Sequence, residues 1–143
     1  MKVLSLLQPW ATLVVCGAKA WECRSWQTSH RGPLLIHASA KKPGKREKLF
    51  FEEAEYFKIY IDSMDYLPFG SIIGRVDLVG IYTTDFLLQN LEAHSFHNWQ
   101  QEFTFDDYSS KRYAWKLEEP KPLPFVLPVK GTLGLWDYNG MVD

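Results

Sequence analysis

The stretch Gly17-Ala18-Lys19-Ala20-Trp21-Glu22-Cys23-Arg24 joins the end of one element to the start of another, and the rest of the chain reads outward from it. On its N-terminal side, Pro9 suits the first turn of a helix, Trp10, Leu13 and Val14 recur at helical spacing, and Gly17 fits the position just past the helix end. On its C-terminal side, Trp21 to Trp26 alternates as a strand does. That alternation puts Glu22, Arg24 and Trp26 on one face and Trp21, Cys23 and Ser25 on the other. Lys19 and Glu22 therefore straddle a helix-to-strand turn, and Arg24 shares the Glu22 face.

Outward from this turn, Val3 to Leu7 reads as a short buried strand, and Gly32-Pro33 opens another over Leu34 to Ala38. Lys45 to Asp62 reads as one amphipathic helix with Leu49, Phe50, Tyr56 and Phe57 on its inner side. Ser71 to Tyr82 is the longest strand signal, with Gly74 and Gly80 at bulge or bend positions. Asp85 is expected to cap a short helix through Leu91, and Glu92 to Asp107, lacking a clear period, to form a long functional or mobile loop. Strand pieces follow at Tyr113 to Leu117, Phe125 to Leu127 and Leu133 to Trp136, with prolines at edge positions. About six curved strands with two or three helices predict an α+β domain built on a small, partly open β-barrel, one domain over residues 1–143.

The composition agrees with a single core: 46% of the 143 residues are hydrophobic and 23% charged. Six Trp, seven Tyr and nine Phe are enough to fill that core and still line a cavity. The formal charge of -1 excludes a wholesale polycation, yet charge is segregated along the chain. Lys19 to Lys48 holds eight basic and two acidic residues (+6), whereas Leu49 to Asp107 holds two basic and eleven acidic ones (-9). A local basic surface for an anionic partner such as RNA is compatible with that pattern. Cys16 and Cys23 form no CxxC pair, and the apolar run from Val3 to Cys16 is interrupted by Gln8-Pro9-Trp10 and too short to span a bilayer. Reduced thiols, a cytoplasmic location and no membrane contact are expected. His94 and His97 lie three apart in the irregular segment, where a solvated loop is favoured over metal binding. No Gly-rich phosphate loop, Ser-His-Asp arrangement, Rossmann fingerprint or DNA-specific motif is present, so no cofactor and no metal are expected.

The G-x-K-x-x-E-x-R pattern of residues 17–24 closely resembles the ASCH domain of the PUA-like superfamily. The resemblance extends to Gln8-Pro9-Trp10-Ala11 before it and to Arg31-Gly32-Pro33-Leu34-Leu35-Ile36-His37-Ala38-Ser39 after it. Arg112-Tyr113-Ala114-Trp115 and Gly131-Thr132-Leu133-Gly134-Leu135-Trp136 also look like that family, whereas the centre of the chain diverges. The resemblance implies a β-barrel with a cleft that gathers the motif residues, and an association with RNA and modified nucleosides. One bacterial ASCH branch is an amidohydrolase for N4-acetylcytidine that uses a Lys, a Thr and a distant Glu. Its Lys matches Lys19, but its Thr falls on Glu22, which removes the hydroxyl nucleophile. Another member is described as a ribonuclease with a Lys in the cleft.

The residues themselves offer Lys19 and Glu22 as the catalytic candidates, either as a proton-transfer pair or as an ion pair that ties the turn to the barrel. Read as a cleft cation, Lys19 contributes little to packing, and its removal is expected to spare the fold. Arg24 is suited to grip phosphate or a base edge, and Trp10 and Trp26 to stack on a base, with core packing the competing role of Trp10. Gln8, Arg31, His37, Ser39, Lys41 and Lys42 complete the ligand-binding candidates: Gln8 at a helix start, His37 and Ser39 at a strand end that opens onto the cleft, with a hydrogen-bonded core histidine the competing role of His37, and the others in the basic stretch. The expected function is binding of RNA or a modified nucleoside in a Lys/Glu/Arg cleft. The alternatives are a hydrolase acting on an acylated nucleoside or on RNA, and an adaptor using the aromatics of Glu92 to Asp107.

Overall fold

Buried Val3, Leu4 and Leu6 seat the first strand, β1 (Lys2–Leu6), inside a sheet, parallel to β3 (Gly32–Ala38), with Val3 opposite Leu35 and Leu6 opposite Ala38. A parallel pair needs a crossover, which here is α1 (Trp10–Val15) followed by β2 (Trp21–Arg24). The structure is a computed structural model that describes residues 1–94 and 98–142. Its remaining strands are β4 (Ser71–Thr83), β5 (Tyr113–Pro128) and β6 (Leu135–Asp137), and the six strands run in the order β2-β5-β4-β3-β1-β6. All other pairings are antiparallel, and the sheet curls into the expected half-open barrel.

The curl has a physical source in β4. Its register slips against β5 between Ile72 and Gly74, Arg75 and Asp77, and Leu78 and Gly80, each slip a bulge that increases local twist. The expected bend positions, Gly74 and Gly80, stand at two of them. The sheet wraps α1, whose Ala11, Val14 and Val15 pack with Leu4, Leu34, Ile36, Val76 and Trp115. Gly17 ends α1 with φ +87°, a conformation only glycine adopts without strain. Its N–H donates to Val14 O (3.2 Å), and the Lys19 N–H donates to Leu13 O (3.0 Å), which seats Lys19 immediately beyond the helix.

Four expectations need correction. The segment from Lys45 to Asp62 is not one helix but two, α2 (Lys45–Glu53) and α3 (Glu55–Tyr60), because Ala54 is extended (ψ 104°). The inward positions differ as well: Phe51 and Phe57 are buried, whereas Leu49 and Phe50 are 56% and 43% exposed. In α4 (Thr84–Leu88) the cap is Thr83, whose hydroxyl accepts the Phe86 N–H at 3.2 Å, while Asp85 instead accepts from Ser110 Oγ at 3.0 Å. The supposed loop contains a helix, α5 (Trp99–Phe105), capped by Asn98. There are thus five α-helices among the described residues rather than two or three. Finally, the strand pieces at 113–117 and 125–127 are parts of the single β5, whose distal half lacks a β2 partner and so tolerates Pro120, Pro122 and Pro124. Among the described residues no helix is long and apolar enough to cross a membrane.

Gly74 tests the wrapping of the sheet around α1. A Cβ there would lie 2.5 Å from Val15 Cγ1 and 2.8 Å from Lys121 O. Gly74→Ala is therefore expected to cost about 1–3 kcal/mol of stability through overpacking, read as a lower urea midpoint at unchanged slope; an unchanged midpoint would mean that α1 is not held this closely.

Candidate functional site

Strand β2 lies at the end of the sheet order, so it leaves one row of backbone groups unpaired, and buried backbone polar groups require partners. Side chains supply them. Asp106 Oδ2 accepts the Cys23 N–H (2.8 Å), Arg112 Nη2 donates to Cys23 O (3.2 Å), and Lys19 Nζ donates to Trp21 O. Just before the strand, Glu102 Oε2 accepts the Ala20 N–H at 2.8 Å. Lys19, 1% exposed, also donates to Glu22 Oε1 (2.8 Å) and Asp106 Oδ2 (2.6 Å), so the three hydrogens of its ammonium are matched by three acceptors. Glu22 in turn accepts from Arg24 Nη1 at 3.1 Å.

Charges in this cluster act on one another. Burial alone would lower the pKa of Lys19, but attraction from Glu22, Asp106 and Glu102 outweighs it and holds the amine above its ordinary value, protonated. Lys19 therefore carries no lone pair to act as a base. Burial pushes Glu22 above the usual carboxylate range against the pull of Lys19 and Arg24, and pushes Glu102 up to about 7. The same desolvation raises the Cys23 thiol and the Tyr108 hydroxyl, the latter 3.5 Å from Glu102 Oε1.

Above the cluster lies a cleft of about 750 Å³. Glu22, Arg24, Asp106 and Asp107 form its polar part, and Trp10, Phe50 and Phe103 contribute rings. α5 and the residues just after it form one wall. They are held by Gln101 Nε2 to Ala18 O (2.9 Å), Trp10 Nε1 to Phe105 O (2.6 Å) and the bonds of Glu102 and Asp106.

Of the residues singled out in the sequence, Trp10, Glu22 and Arg24 line this cleft, and Lys19 lies beneath it. Gln8 is spent on structure, donating to Pro68 O and accepting the Thr12 N–H at the start of α1. Trp26 packs edge-on to Trp115, 5.0 Å between centroids, with the Arg24 guanidinium 5.4 Å from its ring. Arg31 is exposed and bonds Thr28 O and His30 O. His37 and Ser39 line a different cavity of about 550 Å³, where the His37 ring is bonded to Ser5 Oγ (3.3 Å) and Val129 O (2.8 Å). Lys41 and Lys42 are exposed outside the cleft, Lys42 over the Phe69 ring. His94 is buried against Trp21 and Tyr82, and His97 lies outside the described residues. The site residues that sequence reading missed are Glu102, Asp106, Asp107 and Phe103. Two signals pointed to them: Asn98 capping the Gln101 N–H, and Gln101, Glu102 and Phe105 recurring as one helical face.

The family model of the ASCH domain matches residues 4–126. Activating signal cointegrator 1 of Homo sapiens is 32% identical over 142 residues, and that of Mus musculus 31%. Each alignment covers 97% of this chain, which spans 22% of the length of either relative. Among solved structures, the ASCH protein of Zymomonas mobilis superposes with a TM-score of 0.51 at 18% identity, covering 89% of this chain and 72% of that one. A serine-to-alanine mutant of the same protein gives 0.56 at 17% identity over 96% of this chain and 88% of that one.

Two outcomes follow from the buried cluster. Lys19→Ala strands Asp106 without its cation and leaves Glu22 with Arg24 alone, so the fold is not spared: a loss of about 3–5 kcal/mol is expected, measured by chemical denaturation, and a loss below about 1 kcal/mol would contradict the pairing. Glu102 titrates higher in the folded chain (about 7) than its ordinary 4.5. Its contribution is therefore fully present below pH 4.5 and is lost as pH rises through 7, a change of about 3 kcal/mol. Glu102→Gln should flatten the fall in melting temperature over that window; an unchanged slope would assign the dependence to other groups.

Proposed function

Because this chain belongs to the ASCH domain family, we propose that its cleft binds a single nucleobase, presented by RNA or as a free modified nucleoside. The observation that carries this reading is the meeting of Trp10 and Phe103 rings with Glu22, Arg24 and Asp106 in one cleft of about 750 Å³, which has room for a nucleoside. Rings favour a flat aromatic ligand whatever its sequence context, and carboxylates and a guanidinium read the hydrogen-bonding edge of a base. A phosphate chain has no place on a floor of carboxylates. Its charge is matched instead by exposed Lys41, Lys42, Lys45, Arg46 and Lys48, which lead along α2 to Phe50 at the cleft rim.

Binding is favoured over hydrolysis. Lys19 holds its proton and has given its three hydrogens to fixed acceptors, and Glu22 stands where the amidohydrolase branch has its nucleophilic Thr. Besides Glu22, two carboxylates just after α5 line the cleft, Asp106 and Asp107. The free thiols Cys16 and Cys23 suit a cytoplasmic protein.

Phe103→Ala is expected to weaken nucleoside binding by about tenfold, the loss of one stacking face, and to lower the melting temperature as well, because Phe103 also stacks on Trp99 (5.6 Å between centroids) and meets Tyr108 edge-on (5.0 Å). Titration calorimetry reads this; equal affinity in the variant would move the base away from this wall. Replacing Lys41, Lys42 and Lys45 by Gln should lower affinity for a short single-stranded RNA and reduce the slope of log K against log salt by about two to three. An unchanged slope would place the phosphates elsewhere.

A further inference from the structure

Resting on the nucleobase reading, we propose that the cleft selects bases that carry a fixed positive charge, as alkylation of a ring nitrogen creates. Among the described residues that line it, three carboxylates, Glu22, Asp106 and Asp107, face one cation, Arg24. That cation is already engaged: its guanidinium bonds Glu22 Oε2 at 3.1 Å and lies over Trp26. The two other cations of the cluster do not line the cleft. The Lys19 side chain has no exposure and pairs from beneath with Glu22 (2.8 Å) and Asp106 (2.6 Å), and Arg112, turned toward Cys23 O and Asp107 O, brings its Nε to 3.7 Å from Asp107 Oδ2, the most exposed of the three carboxylates. Hydrogen bonds from Ser109 hold the Asp107 carboxyl below the usual carboxylate range, so it stays ionised.

Two physical effects then favour a charged base over its neutral parent. The rings of Trp10 and Phe103 line the cleft, and an aromatic ring attracts a cation placed over its face, most strongly where water is excluded. The carboxylates offer acceptors and, Arg24 apart, the lining offers no charged donor, so the best-matched base edge is one that only donates. Alkylating N1 of adenine makes both changes at once: it removes the ring acceptor, leaves the amino donor and adds the charge. A neutral base retains its acceptor, which meets carboxylate oxygen here with no hydrogen between them.

The test is titration of the full chain at pH 7 with 1-methyladenosine, adenosine and N6-methyladenosine, the last carrying the methyl group without the charge. 1-Methyladenosine is expected to bind about tenfold tighter than either, and Asp107→Asn to reduce that ratio about threefold. Asp107 is suited to the substitution because its side chain is 60% exposed. Equal affinities, tighter binding of N6-methyladenosine, or a ratio unmoved by Asp107→Asn would overturn charge selection while leaving nucleobase binding in place. Failure of all three nucleosides and of a short RNA to bind would overturn both readings.

Discussion

An ammonium buried to 1% exposure cannot stand without anions around it, and the protonated Lys19 organises its surroundings accordingly. It draws Glu22 from its own strand and Asp106 from beyond α5, and it caps the Trp21 carbonyl on the open edge of β2. The same few bonds thus close a sheet edge, anchor α5 and set the floor of the cleft. The lysine holds the turn and the strand edge directly, and it shapes the cleft through the carboxylates it positions.

The cluster is over-supplied with acid. Glu22, Glu102 and Asp106 gather around Lys19, with Arg24 the next cation on Glu22. The excess is absorbed by raising Glu102, which burial keeps largely protonated below neutral pH. At the cleft surface Asp107 adds a further carboxylate, with Arg112 Nε 3.7 Å from its Oδ2. Basic residues gather instead on the approach to α2. This separation keeps the exposed basic residues apart from the carboxylates that line the cleft.

The sheet makes this arrangement possible by bending rather than by closing. Bulges in β4 wrap the strands around α1, and the absence of a side chain at Gly74 lets Val15 settle against the sheet. α1 in turn ends at Gly17, two residues before Lys19, so the packing of the helix fixes where the ammonium enters the interior.

The local sequence determined what local physics controls. Alternation over Trp21 to Arg24, helical spacing before Gly17 and the glycines of β4 each act within a few residues, and the fold class, the edge-tolerant prolines and the Lys19–Glu22–Arg24 grouping follow from them. The residue pattern from Glu92 to Asp107 held a cap and a helical face, but nothing within it specified that Asp106 lies 2.6 Å from a lysine 87 positions earlier. Sequence distance hides such a pair, because the desolvated ammonium that selects it exists only once β2, α1 and α5 have come together. For the same reason His37 and Ser39, placed with the cleft on strand reading, open on another cavity: which end of a strand faces which hollow is decided by the curl of the sheet, a property of all six strands at once.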